Sequence, residues 1–278
     1  MKVVYLLPKM IGAGTREVED DWSMVVDVTD NLDSIVAPYA CKDIERMENS
    51  YGKYIRATYM IDIIQDRKSC SVDEALRILK EENDKQGEYY EVKLKDIENN
   101  LPNSDEKEFD KNDFREMLEF FPENDYFDMF VHVLEKSNLG ASQYRYLREF
   151  IDAVSMKNSS SMLMADSRSK RHPRRGALGS KLLETMVQLL VLKEKANGGY
   201  ETCSLSIDEL ASAIRERYGL IINGIEDERF ADADVEMNAA FHQNMEAFKN
   251  KLRQIGFYTD MSDACILQKI RPRYKLED

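Results

Sequence analysis

From Asn238 to Gly256 the chain reads NAAFHQNMEAFKNKLRQIG, with Phe241, Met245, Phe248, Leu252 and Ile255 recurring at steps of four, three, four and three. That spacing fits one face of a 3.6-residue helix and is foreign to a strand, where side chains alternate every two residues. It predicts a long amphipathic helix with a single buried stripe, stopped by Gly256, which tolerates the left-handed backbone of a helix C-terminus. The preceding segment SIDELASAIRERYG carries its own start and stop. Ser206 and Glu209 form a capping box, Ile207, Leu210, Ala211, Ile214 and Tyr218 share a face, and Gly219 ends the helix. Further upstream, KLLETMVQLLVLK is apolar almost all round, the pattern of a helix buried on most sides. Gly198 and Gly199 end it, and YETCSLS follows as a short strand. FYTDM and ACILQKIRPRY flank a turn at Ser262 and Asp263 and read as a β-hairpin.

With only 12 Gly and 6 Pro in 278 residues, an all-β fold built on tight turns is disfavoured. The expected class is mainly α with small β elements, an α+β chain with a helical N-terminal domain. The opening runs VVYLL and WSMVVDV read as short strands. Helices follow in YGKYIRATYMIDIIQD and in SVDEALRILKEEN, whose Ser71 and Glu74 make a second capping box. A strand is expected in YYEVKL, then helices in NDFREMLEFF, NDYFDMFVHVLEKS and SQYRYLREFIDAVSM.

Charge divides the chain. The formal net charge is −13, yet residues 1–166 hold roughly 21 basic and 35 acidic side chains against roughly 18 and 17 in residues 167–278. The boundary coincides with SRSKRHPRRG, a basic run inside a Ser-, Arg- and Gly-rich stretch where Pro173 disfavours helix at His172. Three parts are therefore expected: an acidic, mostly helical interaction domain at 1–157, a basic linker at 158–178, and a C-terminal domain at 179–278. The linker either holds phosphate electrostatically, docks on an acidic partner surface, or is simply solvated. Lacking interleaved aromatics, it offers no base-stacking platform.

The C-terminal order of helix, strand, helix, helix and hairpin resembles the winged-helix form of the helix-turn-helix. The connection LIINGIEDERFADADVEM between its second and third helices is longer than the usual tight turn. The strings LGSKLLETMVQLLVL and IRPRY also resemble modules of bacterial anti-phage defence proteins. The winged-helix resemblance implies that the third helix enters the DNA major groove while the hairpin contacts backbone or minor groove. The solvent side of that helix would offer Gln243, Asn244, Asn250 and Lys251, with His242, Lys249, Arg253 and Gln254, while Glu246 would oppose phosphate. In the last strand Lys269, Arg271, Arg273 and Lys275 alternate with Ile270, Pro272, Tyr274 and Leu276, so an extended chain projects four cations to one side. That row is either a phosphate track or a charged edge that blocks aggregation. From the linker, Arg168, Lys170, Arg171, Arg174 and Arg175 would add phosphate contacts.

Signals for catalysis are sparse. His132, His172 and His242 have no ligand-like spacing to one another or to a cysteine, so no metal or other cofactor is expected. Asp27, Asp30 and Asp33 in DVTDNLDS read as a turn with helix caps before they read as a cation site. Glu91 and Lys93 match half of an E-x-K metal-nuclease site, without an aspartate strand to complete it. IGAGTR lacks both the dinucleotide fingerprint and a phosphate-binding lysine motif. Cys41, Cys70, Cys203 and Cys265 are dispersed, as reduced thiols of a cytoplasmic protein are. No A-x-A-like cleavage site precedes EVEDD, and no apolar run reaches the roughly 20 residues that span a bilayer, so neither a secretory leader nor a membrane partner is expected. The leading expectation is a non-enzymatic subunit of a larger intracellular complex, binding or positioning double-stranded DNA, with protein partners on its acidic domain. The alternative is a protein-interaction adaptor whose winged helix scaffolds assembly, and a divalent-metal nuclease ranks behind both.

Overall fold

The computed structural model describes residues 1–31, 33–61, 64, 70–81, 87–103, 109–123, 125–136, 138–156, 163–165, 174–196, 198–225, 227–258, 269–270 and 272. It is mainly α with a few small strands, and its chain forms two compact units. One comprises Met1–Asp21 with Met47–Phe150, the other Trp22–Arg46 with Ile151–Asp278.

The first unit is helical among its described residues: α1 (Lys2–Ala13), α3 (Tyr51–Ile61), α4 (Val72–Glu81), α5 (Gly87–Asn100), α6 (Lys111–Leu118), α7 (Tyr126–Lys136) and most of α8 (Asn138–Ser155). VVYLL is therefore the first turns of α1 and not a strand. Val4 and Ile11 face inward and Gly14 closes the helix in left-handed backbone (φ 74°). YYEVKL is likewise helix, inside α5. Tyr90 and Leu94 bury at a spacing of four, and Ile97 and Leu101 continue the stripe onto the same core. That core joins α1, α3, α4, α5, α6 and α7 through side chains such as Leu79, Phe114 and Phe130. At its centre the Tyr90 ring lies 4.6 Å from Phe127 and 5.3 Å from Phe130, spacings typical of attractive aromatic pairs. His132 packs edge-on to Phe121 at 5.0 Å.

The second unit is built around β1 (Met24–Val25), which pairs in parallel with β6 (Leu220–Ile221). On its other side Asp27 bridges Ala177, just past β3 (Arg175–Gly176), which pairs antiparallel with β2 (Met164–Ala165). Helix α2 (Ala37–Glu48) lies mostly in this unit, beside α9 (Ser180–Leu190), α10 (Ile207–Tyr218) and α11 (Val235–Gln254). The stripe of α11 is buried as its period requires: Phe241, Phe248 and Leu252 are fully enclosed, and Phe241 joins Val25, Val36, Ala40 and Ile221 in one cluster. Both caps of α10 form as read, with Ser206 and Glu209 in a reciprocal box and Gly219 left-handed at φ 69°. A Cβ on Gly219 would clash with the Trp22 ring at Cε3, so this position needs glycine for space as well as for backbone.

Helix α9 is shorter than its apolar run. It stops at Leu190, and Leu192–Glu194 (β4) pairs antiparallel with Tyr200–Thr202 (β5), which places Gly198 and Gly199 in a hairpin turn and leaves Leu189 and Leu192 exposed. Of the C-terminal hairpin, residues 259–268, 271 and 273–278 lie outside the described residues. Lys269 forms an antiparallel bridge with Ser206, and the Ile270 amide donates to Leu205 O at 2.7 Å.

Candidate nucleic-acid interface

Which face of α11 is available follows from which face the core takes. His242, Gln243, Glu246, Asn250, Arg253 and Gln254 are exposed, whereas Ala240, Phe241, Asn244, Met245, Phe248 and Leu252 are buried. The long connection before the helix does not cover the exposed face. Its Phe230, at the end of a 3-10 turn, packs on Phe241 at 5.0 Å and thickens the core instead. The exposed row is flanked by the turn after β1. Val28, Thr29 and Asn31 face Gln243, Glu246, Asn250, Lys251 and Gln254 across an open concavity of about 340 Å³.

Asn244 belongs to the interior and not to the solvent side. Its Nδ2 donates to Val26 O (2.8 Å) and Ile222 O (2.9 Å), and its Oδ1 accepts from Val28 N at 2.8 Å. The side chain thus fills the gap where β1 and β6 separate, satisfying three backbone groups that the sheet leaves unpaired.

The cations of α11 are largely engaged. Lys251 donates to Leu178 O at 2.6 Å, Lys249 pairs with Glu246 at 2.8 Å, and Arg253 reaches Asn250 and lies over the Tyr258 ring at 5.4 Å. The outward face thus presents a carboxamide row, Gln243, Asn250 and Gln254, broken by the Glu246 carboxylate and bordered by His242 and Arg253.

The basic run divides. Arg168, Lys170 and Arg171 lie outside the described residues, as do Arg271, Arg273 and Lys275. Arg174 and Arg175 are structural and not linker side chains. Arg174 pairs with Asp152, and Arg175 Nε donates to the fully buried Asp27 at 2.9 Å while its Nη2 donates to Asn31 O at 3.2 Å. Burial of both charges is tolerable because each is paired and hydrogen-bonded. Asp27 also accepts from Thr29 N, Thr29 Oγ1 and Asp30 N, so residues 27–30 form a side-chain-stabilised turn with Asp30 at φ 52°. Among the described residues no cluster of three His, Cys, Asp or Glu could hold a metal ion. Lys269 is exposed beside the start of α10, where Glu209 has its carboxyl held below the usual range, chiefly by the Ser206 backbone amide and then by the Ser206 hydroxyl.

The E-x-K reading fails on geometry. Glu91 and Lys93 sit two apart on a helix and so point in different directions. Glu91 pairs with Lys95 one turn on, and Lys93 lies over the Tyr89 ring at 5.5 Å. Burial pushes the Cys41 thiol up. Cys41, Cys70 and Cys203 form no disulfide, and Cys265 lies outside the described residues.

Compared with known families, residues 1–274 match that of methylation-associated defense system protein MAD7. The chain belongs to this family. No curated protein and no solved structure matches it. Membership makes the chain a defence-system protein, in accord with the resemblance of LGSKLLETMVQLLVL and IRPRY. Among its described residues no helix is long and apolar enough to cross a membrane.

Sequence reasoning missed the partners of the α11 row. Thr29 and Asn31 lie more than two hundred positions from Gln243, and no local pattern links them. The inward turn of Asn244 did carry a signal: it follows Phe241 by three and precedes Phe248 by four, on the stripe itself.

Proposed function

We propose that the chain is a non-catalytic subunit of a methylation-associated defence assembly working inside the cell, and that its second unit contacts double-stranded DNA through a winged-helix arrangement. The observation that carries this reading is the outward row of α11. Three carboxamides at 243, 250 and 254 share an uncovered face, and carboxamides hydrogen-bond adenine edges bidentately. The return of Lys269 to the segment before α10 supports the wing, because it brings the first cation of the C-terminal row beside the start of that helix. Phosphate contact falls to Lys269 and to the cations outside the described residues, since Arg174 and Arg175 are spent on internal pairs. The salt dependence should therefore be shallower than the ten cationic sequence candidates imply, by about 0.9 logarithmic units of slope for each internal cation.

The test is titration of the full-length protein with duplex DNA at low and moderate salt, alongside a Gln243→Ala/Asn250→Ala variant and Lys269→Glu. Binding that weakens with salt and drops in both variants supports the proposal. Absence of binding at both salts sinks it.

A second reading, the adaptor, is favoured by a different observation. On α8, Tyr146 and Phe150 are one turn apart and 55% and 64% exposed. With Leu147, Tyr54, Ile55 and Tyr59 they line an open groove of about 440 Å³ whose lining contains no charged side chain. Aromatic enrichment and charge depletion mark the centre of a protein interface. The two readings are compatible, because each uses a different unit.

A further inference from the structure

We infer that the first unit carries a binding pocket for a small phosphomonoester, formed where α1, α3 and α4 meet. Pro8, Ile11 and Gly12 from α1, Ala57 and Met60 from α3, and three cations enclose a cavity of about 230 Å³. Its floor is apolar, with Ile11, Ala57 and Met60 each no more than 5% exposed. Lys53 and Arg56 come from α3 and Lys80 from α4. No carboxylate lines the pocket, although the surrounding unit is strongly acidic.

The cations have binding capacity left over. Arg56 gives Nε and Nη2 to Asp128, at 2.8 and 2.7 Å, and stacks on Phe127, which fixes the guanidinium plane. Its Nη1 points instead at the Met60 thioether, 3.6 Å away. Sulfur is a weak acceptor that an oxyanion readily displaces. Lys80 spends one of three donors on Ala13 O at 3.0 Å, at the C-terminus of α1. Lys53 has no hydrogen-bond or ion-pair partner among the described residues, although it stands three positions from Arg56, where like charges repel. Three positive groups against one neighbouring carboxylate match a dianion better than a monoanion. Fixed guanidinium geometry favours phosphate oxygens, and the apolar floor requires a carbon body on the ester.

Isothermal titration of the full-length protein with phenyl phosphate tests this, with benzoate, inorganic phosphate and a phosphotyrosine peptide as parallel probes. Phenyl phosphate should bind saturably, with benzoate and inorganic phosphate each weaker by about fivefold or more. Lys53→Met, which keeps the stem and changes an exposed position, should weaken phenyl phosphate about tenfold without moving the thermal midpoint, by roughly the 1.4 kcal/mol that a decade of affinity represents. Three results would overturn the inference: no saturable binding, equal affinity for inorganic phosphate, or an unchanged Lys53→Met. Tighter binding of the phosphotyrosine peptide would overturn it too, by making the occupant a phosphoprotein.

Discussion

Asn244→Ala separates a structural α11 from a purely DNA-reading one. The wild-type amide holds Val28 N, Val26 O and Ile222 O at 2.8 to 2.9 Å and is fully enclosed. Truncation orphans one buried N–H and two buried carbonyls. An orphaned group costs about 1–3 kcal/mol, and carbonyls fall at the low end because a second lone pair relaxes the demand. With about 1–3 kcal/mol for the N–H, about 1 kcal/mol for each carbonyl and about 1 kcal/mol for the cavity, the loss is about 4–6 kcal/mol, a large share of the roughly 5–15 kcal/mol that holds a domain together. Urea unfolding followed by circular dichroism measures it, with Gln243→Ala as control. Gln243 is exposed one residue away, and its truncation should change stability by less than about 0.5 kcal/mol. If Asn244→Ala stays within about 1 kcal/mol of wild type, the clamp contributes little and the argument fails. If it folds normally and loses DNA binding, Asn244 is a reader after all.

Other outcomes follow from the same structure. Gly219→Ala forces a Cβ into Trp22 at φ 69° and should cost about 2–4 kcal/mol, seen as a lowered thermal midpoint. Ser206→Ala removes the side-chain acceptor of the Glu209 amide and should cost about 1 kcal/mol by urea titration. Glu209 has a lowered folded value, so its contribution is complete above the ordinary 4.5 and is lost as pH falls through the lower folded value; Glu209→Gln should flatten that acid limb, and an unchanged limb would refute the assignment. Phe150→Asp changes a side chain 64% exposed, so the fold should persist while co-purification of an assembly partner drops; retention of every partner argues against the adaptor reading.

Much of the helical content was legible because its causes are local. Phe241 to Ile255 spell out α11, and Ser206, Glu209 and Gly219 bound α10 without help from the rest of the chain. Where reading failed, a short window hid the period. YYEVKL alternates over six residues, and only Ile97 and Leu101 beyond it reveal the helical stripe. VVYLL misled in the same way, because five apolar residues are too few to show the helical period of α1. Helix α2 went unread. The candidate interface was half legible: the exposed α11 row contains Gln243 and Asn250, but Asn244, Arg174 and Arg175 proved internal.

By itself, then, the sequence determined where the capped helices begin and end, which face of α11 is apolar, and that charge separates the first 166 residues from the rest. Only tertiary structure decided that Met24 and Val25 pair with Leu220 and Ile221, and that Arg175 belongs to Asp27. It also decided that Lys53, Arg56 and Lys80 meet over one apolar floor. Helix signals act over one or two turns and leave their mark in spacing. Strand partners and buried ion pairs join residues that are distant in the chain, and their selection depends on what the whole core can enclose.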